Sequence, residues 1–251
     1  MLKTIDLKKI IEIAKDAGDI IMEIYHKDFS VEYKDDKSPL TEADLKSNEV
    51  ICAALTKLYP NIPILSEENK EVPYEERKCW EYFWSIDPID GTKEFIKKNG
   101  EFTVNIALVR KNKPILGVVY APVLGDIYSA KEGNSAFKNG KKLPLYKNNF
   151  PKKNLNVVAS KSHLSEETQK FIDNLDTKKV TQVSKGSSLK LCMVAEGIAD
   201  IYPRLAPTME WDTAAAHAIV LEAGKKVIQY DNKEPIVYNK KTLLNPWFIV
   251  K

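Results

Sequence analysis

Asp87-Pro88-Ile89-Asp90-Gly91-Thr92 brings two carboxylates, a proline, a glycine and a hydroxyl together between the apolar-rich run Phe83-Trp84-Ser85-Ile86 and the helix-like Lys93-Glu94-Phe95-Ile96. Carboxylate oxygens suit a hard divalent cation, and amides at a helix start suit an anion. Pro88 restricts the turn and Gly91 permits close backbone approach. The segment therefore predicts a site for a metal ion and a phosphate, with Asp87 and Asp90 facing one pocket.

Further acids are spread along the chain. Glu67 and Glu68 follow the apolar Pro63-Ile64-Leu65 at an expected strand end, and Asp212 opens a C-terminal helix directly after Trp211. If the fold gathers them, these carboxylates can surround two or more Mg²⁺ ions, because hard divalent cations favour oxygen ligands. Each also has a plainer reading: Asp212 as a helix cap, Glu67-Glu68 as an exposed charged loop, Thr92 as a cap. Thr41, with Asp44 three residues later, reads as a capping box. Asp44 could instead reach Thr92 as a proton-accepting partner, and local sequence favours the cap.

The elements that must position these groups read as a mixed α/β chain. Helix-like segments are expected near 7–26 and 41–58, strands near 63–66 and 81–86, and a meander at 103–109, 115–120 and 127–130 separated by turn sequences. The polar, proline-containing stretch 139–153 is the expected boundary between an N-terminal α+β part, 1–150, carrying most of the acids, and a C-terminal α/β part, 151–251, completing the site. Beyond it, 155–159 and 179–183 are strand-like and 165–175 helical; 187–196, 199–202 and 213–223 continue the mixture, with Gly224 a helix C-cap.

Composition excludes several classes. With 38 basic and 35 acidic residues the net charge is +3, which gives no polyanion-binding surface and no expectation of nucleic-acid binding; clusters such as 131–153 read as local positive surface or solvated loop faces. Cys52, Cys79 and Cys192 are far apart, arguing for a reducing compartment and against a disulfide scaffold. His26, His163 and His217 form no zinc cluster; His217 is read as structural, with a minor supporting role beside Asp212 as the alternative. The first helix is amphipathic and charged throughout, so neither a signal peptide nor a transmembrane segment is expected. The chain is read as soluble and cytoplasmic, with peripheral contact at the inner membrane and a homodimer left open.

Asp44, Ser66-Glu67-Glu68, Asp87-Pro88-Ile89-Asp90-Gly91-Thr92 and Trp211-Asp212-Thr213-Ala214-Ala215 together resemble the magnesium-dependent, lithium-sensitive inositol monophosphatase superfamily, over nearly the whole chain. The resemblance implies its layered α-β-α-β-α fold. Gly186-Ser187-Ser188-Leu189-Lys190, Tyr202-Pro203-Arg204 and Pro207-Thr208-Met209-Glu210-Trp211-Asp212 look like its bacterial 3'(2'),5'-bisphosphate nucleotidase branch, which releases AMP and phosphate from adenosine 3',5'-bisphosphate. One departure is Ala216-His217, where that branch usually has glycine before the histidine.

Carried over, the family mechanism gives a first Mg²⁺ to Glu67, Asp87 and the Ile89 carbonyl, and a second to Asp87, Asp90 and Asp212, with a weaker third ion near Glu67. The ligand set also accepts Mn²⁺. Thr92 with Asp44 would activate water, and the Gly91 and Thr92 amides would hold phosphate. Arg204 would meet the second phosphate of the nucleotide, with Ser187 and Lys190 nearby. Glu68, Glu210 and Trp211 are supporting residues; Glu210 serves either the substrate or the loop, and Trp211 anchors Asp212. The alternatives are an inositol monophosphatase or fructose-1,6-bisphosphatase-like sugar phosphatase, and a nucleotide-binding sensor with weak hydrolysis.

Overall fold

Alternation along the strands decides the layering, because successive side chains leave a strand on opposite faces. In the 103–110 strand, Val104, Ile106 and Leu108 pack into one apolar cluster while Ala107 and Val109 pack into another. The sheet is thus buried on both faces and needs helices on each. The computed structural model describes residues 2–34, 39–146, 154–160 and 164–251. His163 and the 147–153 part of the expected boundary lie outside the described residues.

After a 3-10 turn at Leu2–Thr4 comes α1 (Leu7–Tyr25), capped by the Asp6 carboxylate, which accepts from the Lys8 amide. The hairpin of β1 (Val31–Tyr33) and β2 (Pro39–Thr41) leads into α2 (Glu42–Leu58). Next follow β3 (Ile64–Ser66), the single-turn α3 (Tyr74–Arg77), β4 (Tyr82–Asp90) and the short α4 (Thr92–Ile96). The meander is β5 (Thr103–Arg110), β6 (Lys113–Ala121), β7 (Asp126–Lys131), β8 (Ala136–Lys138) and β9 (Lys141–Lys142). Among the described residues these make a seven-stranded sheet in the order β3-β4-β5-β6-β7-β8-β9, parallel between β3 and β4 and antiparallel elsewhere.

The remaining elements are β10 (Asn154–Ser160), α5 (Glu166–Asp173), β11 (Lys179–Lys185), α6 (Leu189–Glu196), β12 (Tyr202–Arg204), α7 (Glu210–Glu222), β13 (Val227–Gln229) and β14 (Phe248–Val250). β10 and β11 pair in parallel, and β12-β14-β13 form an antiparallel sheet. Helices α1 and α2 cover one face of the large sheet, α6 and α7 the other, and α5 closes a smaller core against β10 and β11. This is the mixed, layered α/β arrangement expected from the sequence.

Two local differences bear on the site. The strand expected at 81–86 runs on to Asp90, so the Asp-Pro-Ile-Asp segment is a distorted strand end rather than a free turn. Helix α7 ends at Ala223 as cap, with Gly224 at φ 77° just beyond, where a left-handed residue satisfies the last carbonyls.

Candidate metal and phosphate site

A regular strand would separate Asp87 from Asp90, since residues three apart point to opposite faces. The register with β5 shifts between them: Asp87 lies opposite Asn105 and Asp90 opposite Thr103. One residue is therefore extra on β4, a bulge that re-aims the side chains beyond it. Its outcome is that Asp90 Oδ2 accepts from Asn105 Nδ2 at 3.4 Å and lies 2.8 Å from Ser188 Oγ, on the same face as Asp87. Helix α2 braces the bulge through Ser47 Oγ, which donates to the Pro88 carbonyl at 3.1 Å.

Gly91 caps α4 at φ 95°, a left-handed conformation that glycine adopts without a steric penalty. A Cβ there would also stand 3.3 Å from the Glu101 carbonyl. Thr92 then follows with Oγ1 donating toward Asp44 Oδ1 at 3.2 Å and lying 3.3 Å from the Ile89 carbonyl. Asp44 is 2 % exposed. Its other oxygen accepts from the Thr41 amide at 2.8 Å and Thr41 Oγ1 at 2.6 Å. The cap and the Thr92 partnership, opposed in the sequence, are thus made at once by two oxygens of one carboxylate.

Asp212 is the third residue of α7, and its Oδ2 accepts from the Met209 amide at 2.9 Å. That cap fixes the rotamer and aims the carboxylate at the sheet. One oxygen each of Glu67, Asp87 and Asp212 all lie within 4.8 Å of one another, a spacing that one divalent ion can bridge. Asp87 is 1 % exposed, and the Ile89 amide donates to it at 3.1 Å. Burial, then Glu67, Asp90 and Asp212, push its carboxyl well above the ordinary range. Burial, Asp90 and Glu67 do the same to Asp212. Burial also raises Glu67, Asp90 and Asp44, against the lowering effects of Lys34, of Lys190 and of the threonine donors respectively. Acids this crowded need a cation or protons, and the donor set is all oxygen, as Mg²⁺ requires.

Glu67, Asp87, Ile89, Asp90, Gly91, Thr92, Ser187, Lys190, Arg204 and Asp212 line one cleft of about 250 Å³. Every expected ligand and substrate residue reaches it except Asp44, which meets it through Thr92. Ser187 has φ 46°, and its buried Oγ has no partner among the described residues. Lys190 Nζ donates to the Ser187 carbonyl at 2.6 Å, and burial brings its pKa down to about 8. Arg204 is held by its own loop, Nε donating to Thr208 Oγ1 at 2.6 Å and Nη2 to the Pro207 carbonyl at 2.8 Å.

The supporting residues separate. Glu210 turns away from the cleft: it is fully buried, accepts from the Asn239 amide at 2.6 Å and the Lys240 amide at 3.1 Å, and pairs with the Lys240 ammonium. Trp211 packs against the core between sheet and helix. Glu68 is turned to Lys34, which donates to it at 2.6 Å and to Glu67 at 3.1 Å. His217 bonds Tyr238 Oη through Nδ1 at 2.9 Å, not Asp212. Lys34, Asn105 and Ser188 were missed by the sequence reading. Asn105 sits inside an apolar run, where a polar residue was the available signal; Lys34 carried none.

A model of the inositol monophosphatase family matches residues 6–249. The chain belongs to that family. Within the inositol monophosphatase family it is similar to the 3'(2'),5'-bisphosphate nucleotidase CysQ of Salmonella typhimurium, 45% identical over 250 residues that cover 97% of this chain and 98% of the relative. It is similar to the protein of the same name from Escherichia coli K12, 45% identical over 251 residues with the same coverage. Among solved structures, CysQ from Bacteroides thetaiotaomicron is 45% identical with a TM-score of 0.88, covering 98% of this chain and 96% of that one. The suhB protein of Bartonella henselae, at 24% identity and a TM-score of 0.80 over 97% and 92% of the two chains, shares the inositol monophosphatase fold.

Proposed function

We infer that the chain is a magnesium-dependent 3'(2'),5'-bisphosphate nucleotidase that hydrolyses adenosine 3',5'-bisphosphate to AMP and phosphate. The observation that carries this reading is the Glu67–Asp87–Asp212 cluster beside Thr92, in a chain 45% identical over 97% of its length to a protein of that name. The three carboxylates would hold one Mg²⁺. The finer assignment, to which Ile89 contributes its carbonyl and Asp90 a second site with Asp87 and Asp212, adds a second ion, with a weaker third near Glu67 and Mn²⁺ as a substitute. Bound metal supplies Lewis acidity to the phosphate and lowers the pKa of water.

The chain's own groups do the positioning. Thr92 Oγ1 passes its hydrogen bond to buried Asp44, which leaves the threonine oxygen free to accept from an attacking water and fix its direction. Gly91 and Thr92 amides receive the phosphate oxygens. Lys190 and Arg204 supply positive charge on the C-terminal side of the cleft, where the second phosphate of the nucleotide would lie, and Ser187 offers its unpartnered hydroxyl. The two parts of the chain, 1–150 and 151–251, thereby divide the labour: the first gives most of the metal site and the second the nucleotide contacts.

No helix among the described residues is long and apolar enough to cross a membrane. Cys52, Cys79 and Cys192 are free thiols, which supports a reducing, cytoplasmic setting. Phosphate release is measured in parallel on adenosine 3',5'-bisphosphate and inositol 1-phosphate with Mg²⁺, with and without Li⁺. The nucleotide is expected to be the better substrate, with activity lost in EDTA and reduced by Li⁺. Preference for the inositol substrate would overturn the nucleotidase assignment, and tight nucleotide retention without Mg²⁺-dependent release would point to a sensor.

A further inference from the structure

A second cavity, of about 510 Å³, lies on the far side of α7 from the metal cluster, between that helix, the β5–β6 turn and the 226–237 segment. Leu221 forms part of its wall. Nine residues at about 100° each place Leu221 on the face of α7 opposite Asp212, so the two sites share a helix but not a side. Ile236 and Val237 also line it, with Val227, Ile228 and Pro235, so the wall is largely apolar. The volume falls within the range of about 300–1,000 Å³ that encloses small organic ligands.

Its charged side chains all have one sign. Lys113, Lys226 and Lys233 line the opening, and no aspartate or glutamate does. Lys113 is occupied by Glu132 at 2.9 Å, and Lys233 donates to the Tyr230 carbonyl. Lys226 has no carboxylate partner among the described residues. Deeper in, His217 is only 2 % exposed; Tyr238 takes its Nδ1, and its Nε2 has no protein partner among the described residues.

We propose that this cavity binds a small amphipathic carboxylate, its alkyl or aryl body against Leu221, Ile236 and Val237 and its anionic end between Lys226 and the His217 wall. The lysines select against cations, and the apolar lining selects against fully polar anions such as phosphate. The site is independent of the nucleotidase reading, since none of its residues enters the catalytic cleft.

The test is a fluorescence titration of the full chain with 1-anilinonaphthalene-8-sulfonate, an aromatic anion, competed with decanoate and with decanol. One saturable probe site per chain is expected, with decanoate displacing the probe at least tenfold more effectively than decanol. Lys226→Glu should weaken probe and decanoate at least fivefold while leaving phosphate release unchanged. Leu221→Trp should narrow the cavity and weaken binding of probe and decanoate at least fivefold. Should that variant not fold, the decanoate-to-decanol ratio and Lys226→Glu, a change on an exposed side chain, still decide. Equal displacement by the two competitors, or probe binding indifferent to Lys226→Glu, would overturn the proposal. So would sedimentation showing a dimer from which the probe is excluded, because a second copy would then cover this face.

Discussion

Replacing Asp87 by asparagine should stabilise the metal-free protein while destroying its response to Mg²⁺. Oxygens of Glu67, Asp87 and Asp212 lie within 4.8 Å of one another. At that separation, and an effective dielectric of about 20, each charged neighbour costs Asp87 about 3 kcal/mol. Two neighbours together exceed the cost of protonating a carboxyl of ordinary pKa 3.8 at pH 7, which at 1.36 kcal/mol per pH unit is about 4 kcal/mol. The metal-free site therefore takes up protons rather than hold every charge, and about 4 kcal/mol is the ceiling on what this one acid costs. Asparagine keeps the acceptor for the Ile89 amide, now 3.1 Å from Asp87 Oδ1, and turns a repelling oxygen into a donor toward its neighbours.

A gain of about 1–4 kcal/mol is expected, and for a chain of this size 1 kcal/mol moves the melting temperature by about 2–4 °C. Thermal melts in EDTA at pH 7 should thus rise by about 2–16 °C. The gain should vanish near pH 4. Because the Asp87 carboxyl is raised above its ordinary value, the native state keeps a proton that the unfolded chain has lost, and wild-type stability falls as pH rises above 3.8. Asparagine has no such titration. With Mg²⁺ at about 100 times its Kd, the wild type should recover about 2.7 kcal/mol and the variant little of it. An Asp87→Asn protein that melts below wild type in EDTA, or gains as much from Mg²⁺, would refute the mutual-repulsion argument and the metal cage built on it.

Thr92→Val removes the hydroxyl that lies 3.2 Å from Asp44 Oδ1 while keeping the shape, so kcat should fall by about 10²–10³ with KM and the melting temperature little changed; steady-state phosphate release and a thermal melt check this. Lys34→Met takes away the ammonium that neutralises Glu67 and Glu68. Titration calorimetry should show Mg²⁺ binding tightened by about fivefold, or about 1 kcal/mol, alongside a lower melting temperature in EDTA. His217 is held neutral by burial, its pKa lowered to about 3. Between pH 6.5 and 3 the unfolded chain binds a proton that the native state refuses, so stability is lost as pH falls through that window, by up to about 5 kcal/mol. His217→Phe should flatten that acid slope in denaturant titrations at stepped pH, although the lost bond to Tyr238 destabilises it at pH 7.

Sequence reading succeeded where the signal is local. The helix that starts after Thr41, the meander from Thr103 and the glycine beyond α7 follow from caps, alternation and turn residues that lie within a few positions of one another. The order and chemical types of Asp44, Glu67, Asp87, Asp90, Thr92 and Asp212 also sufficed to find the family, because an ordered set of acids around a proline-glycine turn is rare. Its limits were equally physical. Asp87 and Asp90 were expected to face one pocket, but the sequence placed them in a turn, whereas it is a bulge in pairing with β5 that turns Asp90 to Asn105 and Ser188.

Residue types and spacing set the inventory: which groups can bind a hard cation, and which stretches become helix or strand. The long-range half of each carboxylate's bonding came only with the fold. Asp44 divides them between a helix cap and Thr92, and Asp212 gives one to the Met209 amide. Glu210, two residues from Asp212, turns both of its oxygens to the 239–240 backbone. The caps from Thr41 and Met209 are local, three residues away, but Thr92 and the 239–240 backbone lie far along the chain, and only the fold brings those donors to the carboxylates.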